Sequence, residues 1–98
     1  VRTITVHDLR AADDPHVVDV REPEEFAGGH LPGAQLVPLA TVPLRLTEFP
    51  TDRPVYLVCA VGGRSAQAAQ YLTQRGVDAV NVDGGTSEWV AAGYPVER

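Results

Sequence analysis

Cys59 is the only cysteine in the chain, and it closes an apolar run, Val55-Tyr-Leu-Val, before turning straight into Ala60-Val-Gly-Gly-Arg-Ser65. A thiol at the end of a strand, above a glycine-rich loop that opens a helix, is placed for nucleophilic chemistry. Glycine frees the backbone to fold under the sulfur, so the N–H groups of residues 60 to 65 can cradle an anion, with Arg64 adding positive potential. An unperturbed thiol titrates near 8.5, and holding it as thiolate at neutral pH needs a value roughly two pH units lower, about 2.7 kcal/mol. A helix dipole gives only ~0.3–1 kcal/mol, whereas an arginine ~5 Å away gives about 3 at an effective dielectric of 20. The loop amides and Arg64 are therefore expected to carry most of it. The competing expectation is an inert, buried cysteine, since free cysteine packs as a small hydrophobe. Arg64 likewise has two roles open to it, facing the sulfur or bracing the loop against an acid.

The elements around this loop must hold it still. Ser65 to Arg75 reads as a helix ended by Gly76, with Ala66, Ala68, Ala69 and Leu72 giving it an inner face small enough to approach a sheet. Strands are expected at Thr3–Thr5, His16–Val20, Gln35–Pro38, Val55–Val58 and Val80–Val82, with the third at an edge because of its proline. Helices are expected after a capping box at Thr5-Val-His-Asp8, over Arg21–Phe26 with Pro23 in the first turn, over Thr41–Phe49, and over Thr86–Ala92. Alternating strands and helices point to an α/β fold: a five-stranded, mostly parallel sheet with helices on both faces, one domain over residues 1–98. That puts Cys59 at the carboxyl end of a strand, a favoured ligand position in such sheets.

Composition narrows the function classes. Thirteen acids face eight basic residues, all arginine, for a net charge of −5, and the arginines are scattered. No clustered basic face exists for phosphate backbones, so no nucleic-acid partner is expected. The longest apolar stretch is too short for a bilayer, so no membrane partner is expected either. One cysteine allows neither an internal disulfide nor a C-x-x-C redox pair, and a cytoplasmic setting is the default. His7, His16 and His30 share no ligand spacing, and no metal or other cofactor is expected.

Five segments in order, Val18–Phe26, Gly29–Ala34, Cys59–Ser65, Asp83–Gly85, and Trp89 with Ala92–Pro95, give the chain its resemblance to single-domain rhodaneses. The resemblance implies a sulfurtransferase in which Cys59 is the nucleophile, accepts sulfane sulfur as a persulfide, and passes it to a thiophilic acceptor such as cyanide or a thiol. Ala60, Val61, Gly62, Gly63, Arg64 and Ser65 would form the persulfide-binding loop. The implied partners are a small sulfur-containing donor and that acceptor, or a protein of a sulfur relay. Two other classes stay open: a non-catalytic rhodanese-like interaction module, and a cysteine phosphatase-like hydrolase. Related phosphatases place one residue more between cysteine and arginine than the four of Cys59-x4-Arg64, a ring sized for a tetrahedral oxyanion.

Around the mouth, Asp19, Arg21 and Glu25 are expected either to shape the opening or to brace loops, and Glu22, Glu24 and Glu25 to form a solvated, dipole-favoured first turn. Many thiosulfate-using rhodaneses carry a basic residue directly after the cysteine, where this chain has Ala60 and Val61. Tandem members carry an arginine where Glu25 stands. An acid there is expected to repel a dianion, making thiosulfate a poorer donor than polysulfide or a persulfide. His30, in a Gly-His-Leu-Pro-Gly turn, is expected to serve a structural hydrogen bond, Asp83-Gly84-Gly85 to turn the chain, and Trp89 to pack in the core.

Overall fold

The computed structural model describes all 98 residues. Five parallel strands form one sheet in the order β1-β5-β4-β2-β3, with β1 Arg2–Ile4, β2 His16–Asp19, β3 Gln35–Leu36, β4 Val55–Val58 and β5 Ala79–Val82. The helices are α1 Val6–Ala11, α2 Pro23–Ala27, α3 Gly63–Thr73 and α4 Gly85–Ala91. Strand alternation sends side chains to two cores. Val18, Val55 and Leu57 pack with Ala68, Ala69 and Leu72 of α3, while Val17, Val58 and Val82 pack with Val6 and Leu9 of α1 and Trp89 of α4. Helices thus cover both faces, and β3 is an edge strand as its proline requires. No helix is long and apolar enough to cross a membrane.

Two expectations about elements change. Residues 41–49 do not form an α-helix; Leu39–Glu48 is a 3₁₀ segment interrupted at Arg45, whose φ of −114° and ψ of 24° are not helical. Pro43 inside it has no N–H to donate, which breaks the α ladder at that point. Helix α3 starts two residues earlier than Ser65, because Gly62, at φ 117°, turns the chain into it directly. Strand Val55–Val58 is as expected, and the other strand and helix limits differ by no more than two residues.

Several local expectations hold. Thr5 Oγ1 accepts from the Asp8 N–H at 3.1 Å and caps α1. His30 donates from Nδ1 to the Phe26 carbonyl at 2.9 Å and stacks on the Phe26 ring at 3.6 Å, a structural bond. Trp89 is buried, with Nε1 donating to Pro95 O.

Candidate active site

Strands β2, β4 and β5 end side by side, and the next residues along each chain build the site. Cys59 follows β4 directly and is only 1% exposed. Its Sγ accepts from the Gly62 N–H at 3.1 Å and lies 3.2 Å from Ser65 Oγ. Burial pushes the thiol up, but the Ser65 hydroxyl and the amides of Ser65, Gly62 and Val61 outweigh it, leaving Cys59 below the ordinary thiol value.

The amides can face the sulfur because the loop's carbonyls are held elsewhere. Thr86 N–H donates to Cys59 O at 2.9 Å, Thr86 Oγ1 to the same oxygen at 3.2 Å, and Ser87 N–H to Ala60 O at 3.0 Å. Because C=O and N–H point oppositely within one peptide, anchoring Ala60 O on the first turn of α4 turns the Val61 N–H away from α4, toward the sulfur it helps to stabilise. Such an approach leaves no room for a side chain at residue 85: a Cβ on Gly85 would lie 2.4 Å from Cys59 O and 2.7 Å from Ala60 O. Asp83-Gly84-Gly85 therefore does more than turn the chain, since Gly85 is where α4 meets the thiol loop.

Arg64 resolves to the bracing role. Its two terminal nitrogens donate to the Glu25 carboxylate at 2.7 and 3.0 Å, tying α3 to α2. The hydrogen bonds from Arg64, followed by that from the Glu22 N–H, hold the Glu25 carboxyl down at about 2. Two expectations are corrected here. Arg64 is aimed at Glu25 rather than at the thiol, which the Ser65 hydroxyl and the loop amides chiefly lower, and Glu25 is not an uncompensated charge at the mouth, because Arg64 pairs with it. Asp19 and Arg21 also brace. The Arg21 guanidinium forks onto the fully buried Asp19 carboxylate at 2.9–3.1 Å and reaches Gly29 O at 2.7 Å, locking the β2 end to the turn after α2.

Beside the loop lies an open cleft of about 640 Å³ lined by Arg21, Glu24, Glu25, Ala60, Ser87 and Arg98, among others. Arg21 also reaches it, so its bracing and mouth roles coincide. Ala60 forms part of the cleft wall, and Val61, at the crown of the loop, is 69% exposed. Gly63 begins α3 with no neighbour near its missing Cβ.

Asn81 belongs to this site and was not expected in it. It is buried in β5, on the same sheet face as Ala79, and Ser65 Oγ donates to its Oδ1 at 2.5 Å. The available signal was the polar residue in an otherwise apolar Ala-Val-Asn-Val strand, a type depleted from strands.

The family model for the rhodanese-like domain matches residues 4–92. A protein named sulfurtransferase from Allochromatium vinosum is 40% identical over 89 residues, covering 90% of this chain and 83% of that protein. The thiosulfate sulfurtransferase GlpE of Pseudoalteromonas translucida is 34% identical over 86 residues, covering 87% of this chain and 82% of its own. The crystal structure of a rhodanese-related protein from Thermoplasma volcanium superposes with a TM-score of 0.95 at 34% identity, covering 99% of this chain and 98% of that one.

Proposed function

The chain belongs to the rhodanese-like domain family, and on that premise we propose that it is a sulfurtransferase carrying sulfane sulfur on Cys59. The observation that supports this best is the Gly62 N–H 3.1 Å from Sγ, in a loop whose carbonyls are anchored away from the sulfur. Such a cradle suits an anionic sulfur, first the thiolate and then the outer atom of a persulfide. With a persulfide donor, the Cys59 thiolate attacks the outer sulfur of RS–SH. The S–S bond of the donor breaks as the new one forms, giving Cys59–S–SH and RS⁻. In the second half-reaction cyanide or an acceptor thiolate attacks that outer sulfur, and Cys59 leaves as thiolate. No net oxidant or reductant is needed.

Donor preference follows from how the cations are spent. Arg64 is paired with Glu25 and Arg21 with Asp19, whereas Arg98, on the cleft wall, bonds only the Gly28 carbonyl and keeps its charge. The one cation of the loop, Arg64, is thus already paired, and Ala60 and Val61 next to the thiol are apolar. A thiosulfate dianion finds only Arg98 unpaired in the cleft for its sulfonate, while a polysulfide or low-molecular-weight persulfide needs only the amide cradle. The same pairing of Arg64 argues against a phosphatase, whose arginine must be free to fork onto the oxyanion. A non-catalytic module instead predicts an unreactive thiol.

The test is thiocyanate formation from cyanide with thiosulfate, polysulfide or glutathione persulfide as donor. The expected result is Cys59-dependent turnover with a higher kcat/KM for the persulfides. Turnover that survives in Cys59→Ser rejects the mechanism, and a lower KM for thiosulfate than for the persulfides rejects the donor preference.

A further inference from the structure

Three buried polar groups are linked in series from the thiol into the sheet: Cys59 Sγ, Ser65 Oγ at 3.2 Å, and Asn81 Oδ1 at 2.5 Å from that hydroxyl. Ser65 and Asn81 are both buried. A hydroxyl has one hydrogen, and here it points at Asn81, so Ser65 can only accept from Cys59, which suits a thiol and not a thiolate. Once Cys59 is an anion, Ser65 must donate to it, and the oxygen of Asn81 is left facing a lone pair. Asn81 has the remedy on the same amide. Its Nδ2 makes no hydrogen bond, and it lies 3.9 Å from the position a Gly62 Cβ would take.

We propose that Asn81 is a positioning residue that sets the donor direction of Ser65, presenting Oδ1 to it while Cys59 is a thiol and Nδ2 once Cys59 is a thiolate or persulfide. The thiol proton leaves to solvent. The Ser65 hydrogen swings from Asn81 to Sγ, an Nδ2 hydrogen takes its place on Ser65 Oγ, and no covalent bond to Ser65 or Asn81 changes. An aspartate at 81 lacks this freedom, because an ionised carboxylate only accepts and would hold the Ser65 hydrogen away from the sulfur. Other charged groups around the loop are Asp19 at the end of β2, Arg21 just after it, Glu25 on α2, Arg64 on α3, Asp83 after β5, Glu88 on α4, and His7 on α1, which shares a surface depression with Val61 and Asp83. The first four are engaged in the two ion pairs already described.

The inference rests on Cys59 being the reactive thiol, and its test uses no sulfur donor, so it can fail while sulfur transfer stands. The rate of Cys59 alkylation by iodoacetamide is followed against pH. Asn81→Asp is expected to raise the midpoint by about one pH unit, near tenfold less thiolate at neutral pH, while Asn81→Leu moves it by less than half as much. In a Ser65→Ala background the Asp effect is expected to shrink by more than half, leaving only its through-space charge. Equal shifts for Asp and Leu, or an Asp shift that survives intact without Ser65, overturn the proposal. The wild-type protein supplies a measurement free of folding defects. The NMR signals of the Asn81 side-chain amide are expected to titrate with the Cys59 midpoint and to lose that inflection in Ser65→Ala; an amide that ignores Cys59 ionisation overturns it as well.

Discussion

Replacing Gly85 by alanine strikes the contact that turns the loop amides toward Cys59. The added Cβ would sit 2.4 Å from Cys59 O and 2.7 Å from Ala60 O, and both obstacles are backbone. Real Cβ atoms do not come closer than 3.0 Å, so α4 and the loop must move apart. That separation strains the Thr86–Cys59 and Ser87–Ala60 hydrogen bonds, now 2.9 and 3.0 Å, each worth about 0.5–1.5 kcal/mol. Gly85 also sits at φ 57°, a left-handed conformation that costs a residue with a Cβ roughly 1–2 kcal/mol. The combined loss is about 2–5 kcal/mol. For a domain of this size each kcal/mol lowers Tm by roughly 4–8 °C, so a fall of about 8 °C or more is expected in a thermal melt. The displaced amides should also let the Cys59 thiol rise, which a pH series of alkylation rates reports on the same sample. A Gly85→Ala protein with unchanged Tm and unchanged thiol titration would refute the claim that α4 anchors the loop.

Further outcomes follow from the ion pairs. Arg21→Met strands the Asp19 carboxylate, which is fully buried, and should cost about 3–5 kcal/mol in a denaturant melt; a loss below 1 kcal/mol would mean the pair does not brace the site. Glu25→Gln frees Arg64 and removes one negative charge from the cleft wall, so KM for thiosulfate should fall several-fold at low salt and less at high salt; an unchanged KM counts against the electrostatic account of donor choice. The Glu25 carboxyl is lowered from 4.5 to about 2, chiefly by its bonds from Arg64. A lowered carboxyl stabilises the fold above its unfolded value and loses that contribution as pH falls toward 2. The stability gap between wild type and Arg64→Met should thus be constant above pH 4.5 and close below it. The pair is partly solvated, so the gap should be at most about 1 kcal/mol; a gap that widens in acid would be inconsistent with the pairing.

Much of the architecture was legible because it is local. The β-branched run at His16–Val20, the glycines after Cys59 and the small face of Ala66, Ala68 and Ala69 each state their element within a few residues. Residues 39–48 were less legible. Their apolar spacing suits a helix, and only the missing N–H of Pro43 and the break at Arg45 decide for the tighter 3₁₀ form. The site divided in the same way. Cys59 and its loop stand in one contiguous segment, whereas Arg64 and Glu25 are 39 residues apart, and no local pattern says that an arginine beside the thiol will turn to an acid on another helix. Gly85 showed as a turn glycine, but the need for a missing Cβ arises only when α4 meets the loop. Asn81 was signalled by polarity alone, and its partner Ser65 comes from a different element.

The central claim is that Cys59, cradled by its loop amides, holds a transferable sulfur. Mass spectrometry of the intact protein after brief incubation with polysulfide and removal of the excess tests it most directly. Wild type is expected to gain one sulfur that is lost again on adding cyanide, and Cys59→Ser to gain none. A wild-type protein that stays unmodified, or a Cys59→Ser protein that takes up the same sulfur, would contradict it.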